Sequence, residues 1–126
     1  MTRCVGLAFA GQAAQKSVHD GVFTAGQVES GEQVFENICF ECHTNDLFGP
    51  EYMVGWSGAT VSELYVELQA TMPYENPGGL TDNEYTDVIA YLFSINGVEP
   101  GENELPSDAR QLREISIDGP FTWNGR

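Results

Sequence analysis

The chain has 126 residues and a formal net charge of −14, with 19 acidic residues against five Lys and Arg. No Lys or Arg occurs between residues 17 and 109, which argues against nucleic-acid binding because nothing there could neutralise phosphates. No apolar run approaches the roughly 20 residues of a membrane-spanning helix. The acidic surface either keeps the protein in solution or steers a basic partner toward it.

The first 14 residues have the features of a short secretory signal. Arg3 precedes an apolar run from Cys4 to Ala10, and Ala8-Phe9-Ala10 offers a cleavage context. The alternative is a disordered N-terminal tail. A cleaved signal predicts a periplasmic or otherwise extracytoplasmic protein whose remaining cysteines are Cys39 and Cys42.

Three segments show the signals of capped, amphipathic helices. In each of them a Ser or Thr stands three residues before a Gln or Glu, which is the capping-box pattern. This pattern predicts helices that start at Ser30, Thr60 and Thr81. The third helix has the most regular apolar stripe, and Asn96-Gly97 predicts its end.

The helix signals divide the chain into a domain over residues 28–97, an N-terminal extension over 15–27 and a C-terminal tail over 98–126. Long loops rich in Gly and Pro separate the helices, and no segment alternates as a strand would. The tail is predicted either to wrap the domain or to dock onto a partner. A short helix over 107–114, capped by Ser107, is expected within it.

The stretch Cys39-Phe40-Glu41-Cys42-His43 carries the chemistry. A structural zinc site needs four ligands, and the chain has only one other histidine, His19, and no second cysteine pair. A dithiol redox site needs a βαβ context, which the sequence does not show. Covalent haem attachment uses every residue, because the two thiols bond the porphyrin edge and the histidine binds the iron. The motif therefore favours haem.

With this motif, the chain resembles the class I c-type cytochromes. The resemblance implies an all-α cytochrome c fold, in which three main helices and long loops surround one covalent haem c. In that family a glycine and an aromatic residue on the first helix contact the last helix. Gly31 and Phe35 match these positions, and Tyr91 and Leu92 are their expected counterparts.

The resemblance also implies the axial ligands. His43 is the first, and Gly49-Pro50 matches the family's Gly-Pro, whose carbonyl accepts the Nδ1 hydrogen and so orients the imidazole. Met72, followed by Pro73, matches the second ligand, a thioether that raises the reduction potential. Met53 follows His43 too closely to reach the opposite haem face and is predicted to line the pocket.

Other aromatic residues are expected near the haem. Because no cation is at hand, Tyr52, Trp56 and Tyr74 are predicted to hydrogen-bond the propionates or to cover the haem edge. With both axial positions filled, the protein is predicted to carry electrons by outer-sphere transfer and not to be an enzyme. Its redox partners are predicted to present a basic docking surface.

The C-terminal half, residues 72–108, is similar to cytochrome domains that accompany pyrroloquinoline quinone (PQQ) dehydrogenases. This likeness implies a separate dehydrogenase chain as electron donor and a respiratory acceptor. Two alternatives stay open. One is a haem enzyme or gas sensor, which requires that the methionine ligand be absent. The other is a haem-bearing subunit whose tail docks it into a larger assembly.

Overall fold

The computed structural model describes residues 15–124, so the predicted signal segment over 1–14 lies outside the described residues. The helices are α1 (Ala25–Asn37), α2 (Pro50–Gly55), α3 (Val61–Thr71), α4 (Asp82–Ile95) and α5 (Ala109–Leu112). Short 3-10 turns lie at Cys39–Glu41 and Asn45–Phe48. The fold is all-α, as predicted. Within residues 15–124, no helix is both long and apolar enough to cross a membrane.

Two of the three predicted helix starts are confirmed. Thr60 caps α3 and Thr81 caps α4, and in each case the side chain accepts the backbone N–H three residues on while Glu63 or Glu84 reaches back to the cap. The predicted end of α4 is also confirmed. Asn96 is its C-terminal cap, and Gly97 follows with φ +85°, a conformation that favours glycine.

The predicted start of the first helix at Ser30 is wrong. The helix α1 starts at Ala25, and Thr24 forms the capping box with Gln27. Gln27 also exchanges two hydrogen bonds with the backbone of Leu105, at 3.0 and 2.9 Å. The tail therefore supports this helix start from a distance of 78 residues in the chain, whereas the Thr24–Gln27 capping box is itself a local pattern that the prediction at Ser30 overlooked.

The central packing is a close crossing of α1 and α4 at Gly31. A Cβ atom at this position would lie 1.9 Å from the Asp87 carbonyl oxygen and 3.0 Å from the Tyr91 Cβ. Phe35, one turn later, is buried with its ring centroid 5.4 Å from that of Tyr91. The predicted contact of Gly31 and Phe35 with the last helix is confirmed, and it places the two helix backbones against each other.

The segments on either side of residues 28–97 contribute to the same core. The strands β1 (Lys16–Ser17) and β2 (Ile115–Ser116) pair in parallel, a pairing that the sequence analysis did not anticipate because each strand has two residues. The tail packs on the domain, as the first of its two predicted alternatives had it. The buried apolar residues of these segments are Val18, Val22, Phe23, Val98, Leu105, Leu112, Ile115 and Ile117.

The short helix of the tail is shorter than predicted and has a different cap. It is α5, and the Asp108 side chain accepts the backbone N–H of Arg110 at 2.9 Å, whereas Ser107 does not cap it. The Ser107 carbonyl instead accepts the hydroxyl of Tyr65 on α3 at 3.3 Å. Asp108, the residue next to the expected cap, therefore caps the helix in place of Ser107.

The tail also brings negative charge against α4. Burial raises the pKa of Asp87, and the charges of Glu104 and Glu84 raise it further. A carboxyl group with a raised pKa binds its proton more tightly in the folded state than in the unfolded state. At neutral pH the charged Asp87 therefore destabilises the fold.

We expect Gly31→Ala to lower the free energy of unfolding by about 2 kcal/mol or more, because the methyl group forces α1 and α4 apart. Denaturant titration measures this change. The control is Gly26→Ala in the first turn of the same helix, where the nearest atom to an added Cβ is 3.8 Å away. Gly26→Ala should be neutral or stabilising, by up to about 1 kcal/mol. Equal losses in both variants would contradict the close crossing.

We expect Asp87→Asn to raise the free energy of unfolding at pH 7 by up to about 1 kcal/mol, since the carboxylate is half-exposed and solvent screens its repulsion. The gain should shrink as the pH falls through the raised pKa of Asp87 and vanish below the ordinary aspartate pKa of 3.8, where the carboxyl group is neutral in both states. The control is Glu102→Gln, which removes one negative charge at an exposed position of the C-terminal tail. A pH-independent gain would contradict this account.

Candidate haem site

A cavity of about 330 Å³ lies between α1, the end of α3 and α4. Its wall includes Cys39, Cys42, His43 and Met72, the four residues predicted to hold a haem. The remaining wall is mostly apolar and includes Phe35, Ile38, Phe48, Leu68, Leu80, Val88 and Leu92. An apolar cavity with a few convergent polar groups is the usual form of a cofactor site.

The cysteines are brought to the cavity by the 3-10 turn that follows α1. The backbone N–H groups of Cys42 and His43 both donate to the Cys39 carbonyl, at 3.1 and 2.9 Å. This turn places both sulfurs and the imidazole on the wall of one cavity. The two thiols are free, Cys39 half-buried and Cys42 exposed. Burial raises the pKa of the Cys39 thiol to about 11, so it is neutral at pH 7.

The His43 ring is held by a chain of aromatic contacts. It packs edge-on against Phe48, with ring centroids 5.3 Å apart and an interplanar angle of 78°. Phe48 in turn packs edge-on against Phe35, at 5.7 Å, and against Tyr52, at 4.9 Å. Edge-to-face pairs of this kind are favourable contacts, so the histidine segment is anchored to α1 and α2.

Two polar side chains of α4 and its cap hold the segment after His43. The Tyr91 hydroxyl donates to Asn45 Oδ1 at 3.1 Å, and Asn96 Nδ2 donates to the Phe48 carbonyl at 2.8 Å. Asn96 is fully buried, and its Oδ1 has no hydrogen-bond partner in the structure. Neither role follows from the sequence pattern, which marks Tyr91 as a packing residue and Asn96 as the end of the helix.

Met72 stands at the end of α3 and is fixed on both sides of its backbone. Its N–H donates to the Leu68 carbonyl at 2.8 Å, and its carbonyl accepts the Tyr85 hydroxyl at 2.6 Å. The side chain is half-buried on the cavity wall, beside Pro73 and Tyr74. The hydroxyl of Tyr85 was also missed, because that residue belongs to the apolar stripe of α4.

Of the other predicted site residues, Tyr74 lies on the cavity wall, whereas Pro50, Tyr52 and Trp56 do not. Pro50 is the first residue of α2. Burial raises the pKa of Tyr52, although a hydrogen bond from Trp56 partly lowers it and the charge of Glu67 adds to the increase. The roles of Pro50, Tyr52 and Trp56 toward a haem stay predictions. The expectation that Met53 lines the pocket is wrong, because α2 buries this side chain fully in the core.

The donor set of the cavity fits a haem. Two thiols can form thioether bonds, and an imidazole and a thioether are both iron ligands. The apolar wall suits a porphyrin, and the cavity opens to solvent where Cys42 and Tyr74 are exposed. The four donors come from two separate segments of the chain, residues 39–43 and the end of α3, so the fold is what gathers them.

One family model, described as cytochrome c oxidase, cbb3-type, subunit III, matches residues 26–92. No curated protein and no solved structure matches the chain. The matched segment is more than half of the chain and contains Cys39, Cys42, His43 and Met72, all of which line one cavity. The chain therefore belongs to the family of the cbb3-type cytochrome c oxidase subunit III, with a cytochrome c fold typical of a haem-bearing electron carrier that works with redox partners and not of an enzyme.

Proposed function

We propose that this chain is a periplasmic, mono-haem c-type cytochrome that carries single electrons between a dehydrogenase and a respiratory acceptor by outer-sphere transfer. The observation that supports it is the convergence of two thiols, an imidazole and a thioether on one cavity. When bound, the haem supplies a one-electron ferric–ferrous couple. The residues of the chain hold it, orient it and set its environment.

Cys39 and Cys42 are proposed to attach the haem covalently through thioether bonds, and His43 and Met72 to be the axial ligands. His43 comes from the turn after α1, whereas Met72 comes from the end of α3. With both axial positions occupied, no position is left for a substrate. This arrangement suits a relay of electrons and disfavours the alternative of a gas sensor.

The surroundings of the cavity support a stable haem environment. Phe35, Phe48 and Leu92 place apolar surface on its wall. Pro50 is proposed to accept the Nδ1 hydrogen of His43 through its carbonyl, and the Tyr52–Trp56 pair to hydrogen-bond the propionates. A hydrogen bond from the imidazole nitrogen that does not bind the metal makes a histidine a better metal donor.

The partner is proposed to present a basic surface. Tyr74 lies at the mouth of the cavity and is 80% exposed. The exposed Glu75 follows it in the chain. Complementary charge accelerates the encounter of redox proteins. A small apolar contact area at the cavity mouth keeps the distance for electron transfer to the partner short. The likeness of residues 72–108 to cytochrome domains of PQQ dehydrogenases supports such an enzyme as donor. The alternative of a tail that docks the protein is less favoured, because the tail is packed on the domain.

We expect haem to remain attached through acid–acetone extraction when the chain is expressed with c-type haem maturation. The double variant Cys39→Ser, Cys42→Ser should lose all covalent haem, because it lacks both thiols. Mass spectrometry and the pyridine haemochrome spectrum measure attachment. Ser57→Ala, at an exposed position that is not on the cavity wall, is the control for expression and should keep the haem. Extraction of the haem from the wild-type protein would contradict the proposal.

We expect Met72→Ala to abolish the near-infrared charge-transfer band of the ferric protein and to allow carbon monoxide to bind the ferrous protein. The reduction potential should fall by on the order of 100 mV, since axial ligands set haem potentials over a range of about 0.8 V. Met53→Leu is the control, because Met53 is buried away from the cavity wall, and it should leave band and potential unchanged. A band that survives Met72→Ala would show that another residue is the ligand.

A further inference from the structure

The loop that follows Met72 is tied to α4 through a single side chain. Tyr85 is 2% exposed and stands on the cavity wall. Its hydroxyl donates to the Met72 carbonyl at 2.6 Å and accepts the Leu80 N–H at 3.5 Å. The same oxygen therefore contacts both ends of the loop over residues 72–80.

We infer that Tyr85 is a positioning residue for Met72, and that its hydroxyl keeps the methionine turned toward the cavity. This inference rests on the proposed function, which makes Met72 an iron ligand. Tyr85 touches the backbone of Met72 and acts through it.

The rest of the loop offers little other attachment to the core. Residues 74–79 are exposed. Their backbone hydrogen bonds are local turns, from Asn76 N–H to the Pro73 carbonyl and from Gly79 N–H to the Asn76 carbonyl, both 2.9 Å. Exposed loops with local bonds open at low free-energy cost. The Tyr85 bond to Met72, at 2.6 Å, is within the normal range for O–H···O pairs, and the Tyr85 side chain that makes it is buried.

The hydroxyl fixes the direction in which the Met72 side chain leaves the backbone. The Leu68 carbonyl holds the N–H of Met72, and Tyr85 holds its C=O, so the dihedral angles of this residue are restrained on both sides. Without the hydroxyl, the carbonyl can turn to water, and Met72 follows it out of the cavity. The population with a bound thioether then falls.

The test is Tyr85→Phe, which keeps the ring and removes only the oxygen. The matched control is Tyr65→Phe, because Tyr65 is 3% exposed and its hydroxyl also donates to a backbone carbonyl, that of Ser107 on the tail. Both variants are made as haem-loaded proteins. Imidazole, which competes with the methionine for ferric iron, is titrated while the near-infrared band is followed, and hydrogen exchange is measured over residues 73–80.

We expect Tyr85→Phe to bind imidazole about fivefold more tightly than the wild type, as the loss of one hydrogen bond would allow, and to exchange faster over residues 73–80. Tyr65→Phe should match the wild type in both readouts. If the wild type shows the band and Tyr85→Phe matches it in both measurements, the inference is overturned and the proposed function stands. Equal changes in both variants overturn the inference as well, since they report general stability. A wild type without the band overturns the ligand assignment and the positioning role together.

Discussion

The close crossing of α1 and α4 is the constraint on which the site depends. Only a glycine fits at position 31, because the Asp87 carbonyl occupies the space that a side chain would need. The contact brings Phe35 against Tyr91 and fixes where α1 ends. The 3-10 turn that starts at Cys39 and is followed by Cys42 begins two residues later, so the position of the segment proposed to attach a haem follows from the helix crossing.

The helix α4 also supports both segments that contain a candidate iron ligand, the one that follows His43 and the one that contains Met72. Tyr91 and Asn96 hold the backbone and side chains that follow His43, whereas Tyr85 holds the carbonyl of Met72. The three groups lie on one helix and its cap, and a helix is rigid over this length. The separation of the two candidate iron ligands is thus set by hydrogen bonds from one element, the kind of support that keeps a metal site in place.

The parts of the structure that local pattern determines could be predicted. The capping boxes at Thr60 and Thr81 and the cysteine motif depend on residues three or four apart, and Met72 was placed at the cavity through the family resemblance. The start of α1 was missed although Thr24 and Gln27 form a local capping box, and the pairing of Gln27 with Leu105 supports this start from a distance. The roles of Tyr85 and Asn96 were missed because their hydroxyl and amide groups bond residues distant in the chain, which the helical pattern of their positions does not show. Met53 was misplaced because α2 was not predicted.

The corner formed by β1, β2 and α5 makes the distribution of charge over the molecule uneven. In residues 15–124 the cations are Lys16, Arg110 and Arg113, all within this corner, which adjoins the first half of α3 through the pairing of Thr60 with Ser116. The cavity lies at the other end of α3, with Glu75 on its wall and at the negative end of the helix dipole. In the field of a cation-rich surface, such an uneven distribution of charge favours approaches in which the cavity faces that surface. Fewer collisions then arrive in the wrong orientation, so the rate of productive encounter depends on the angle of approach as well as on net charge.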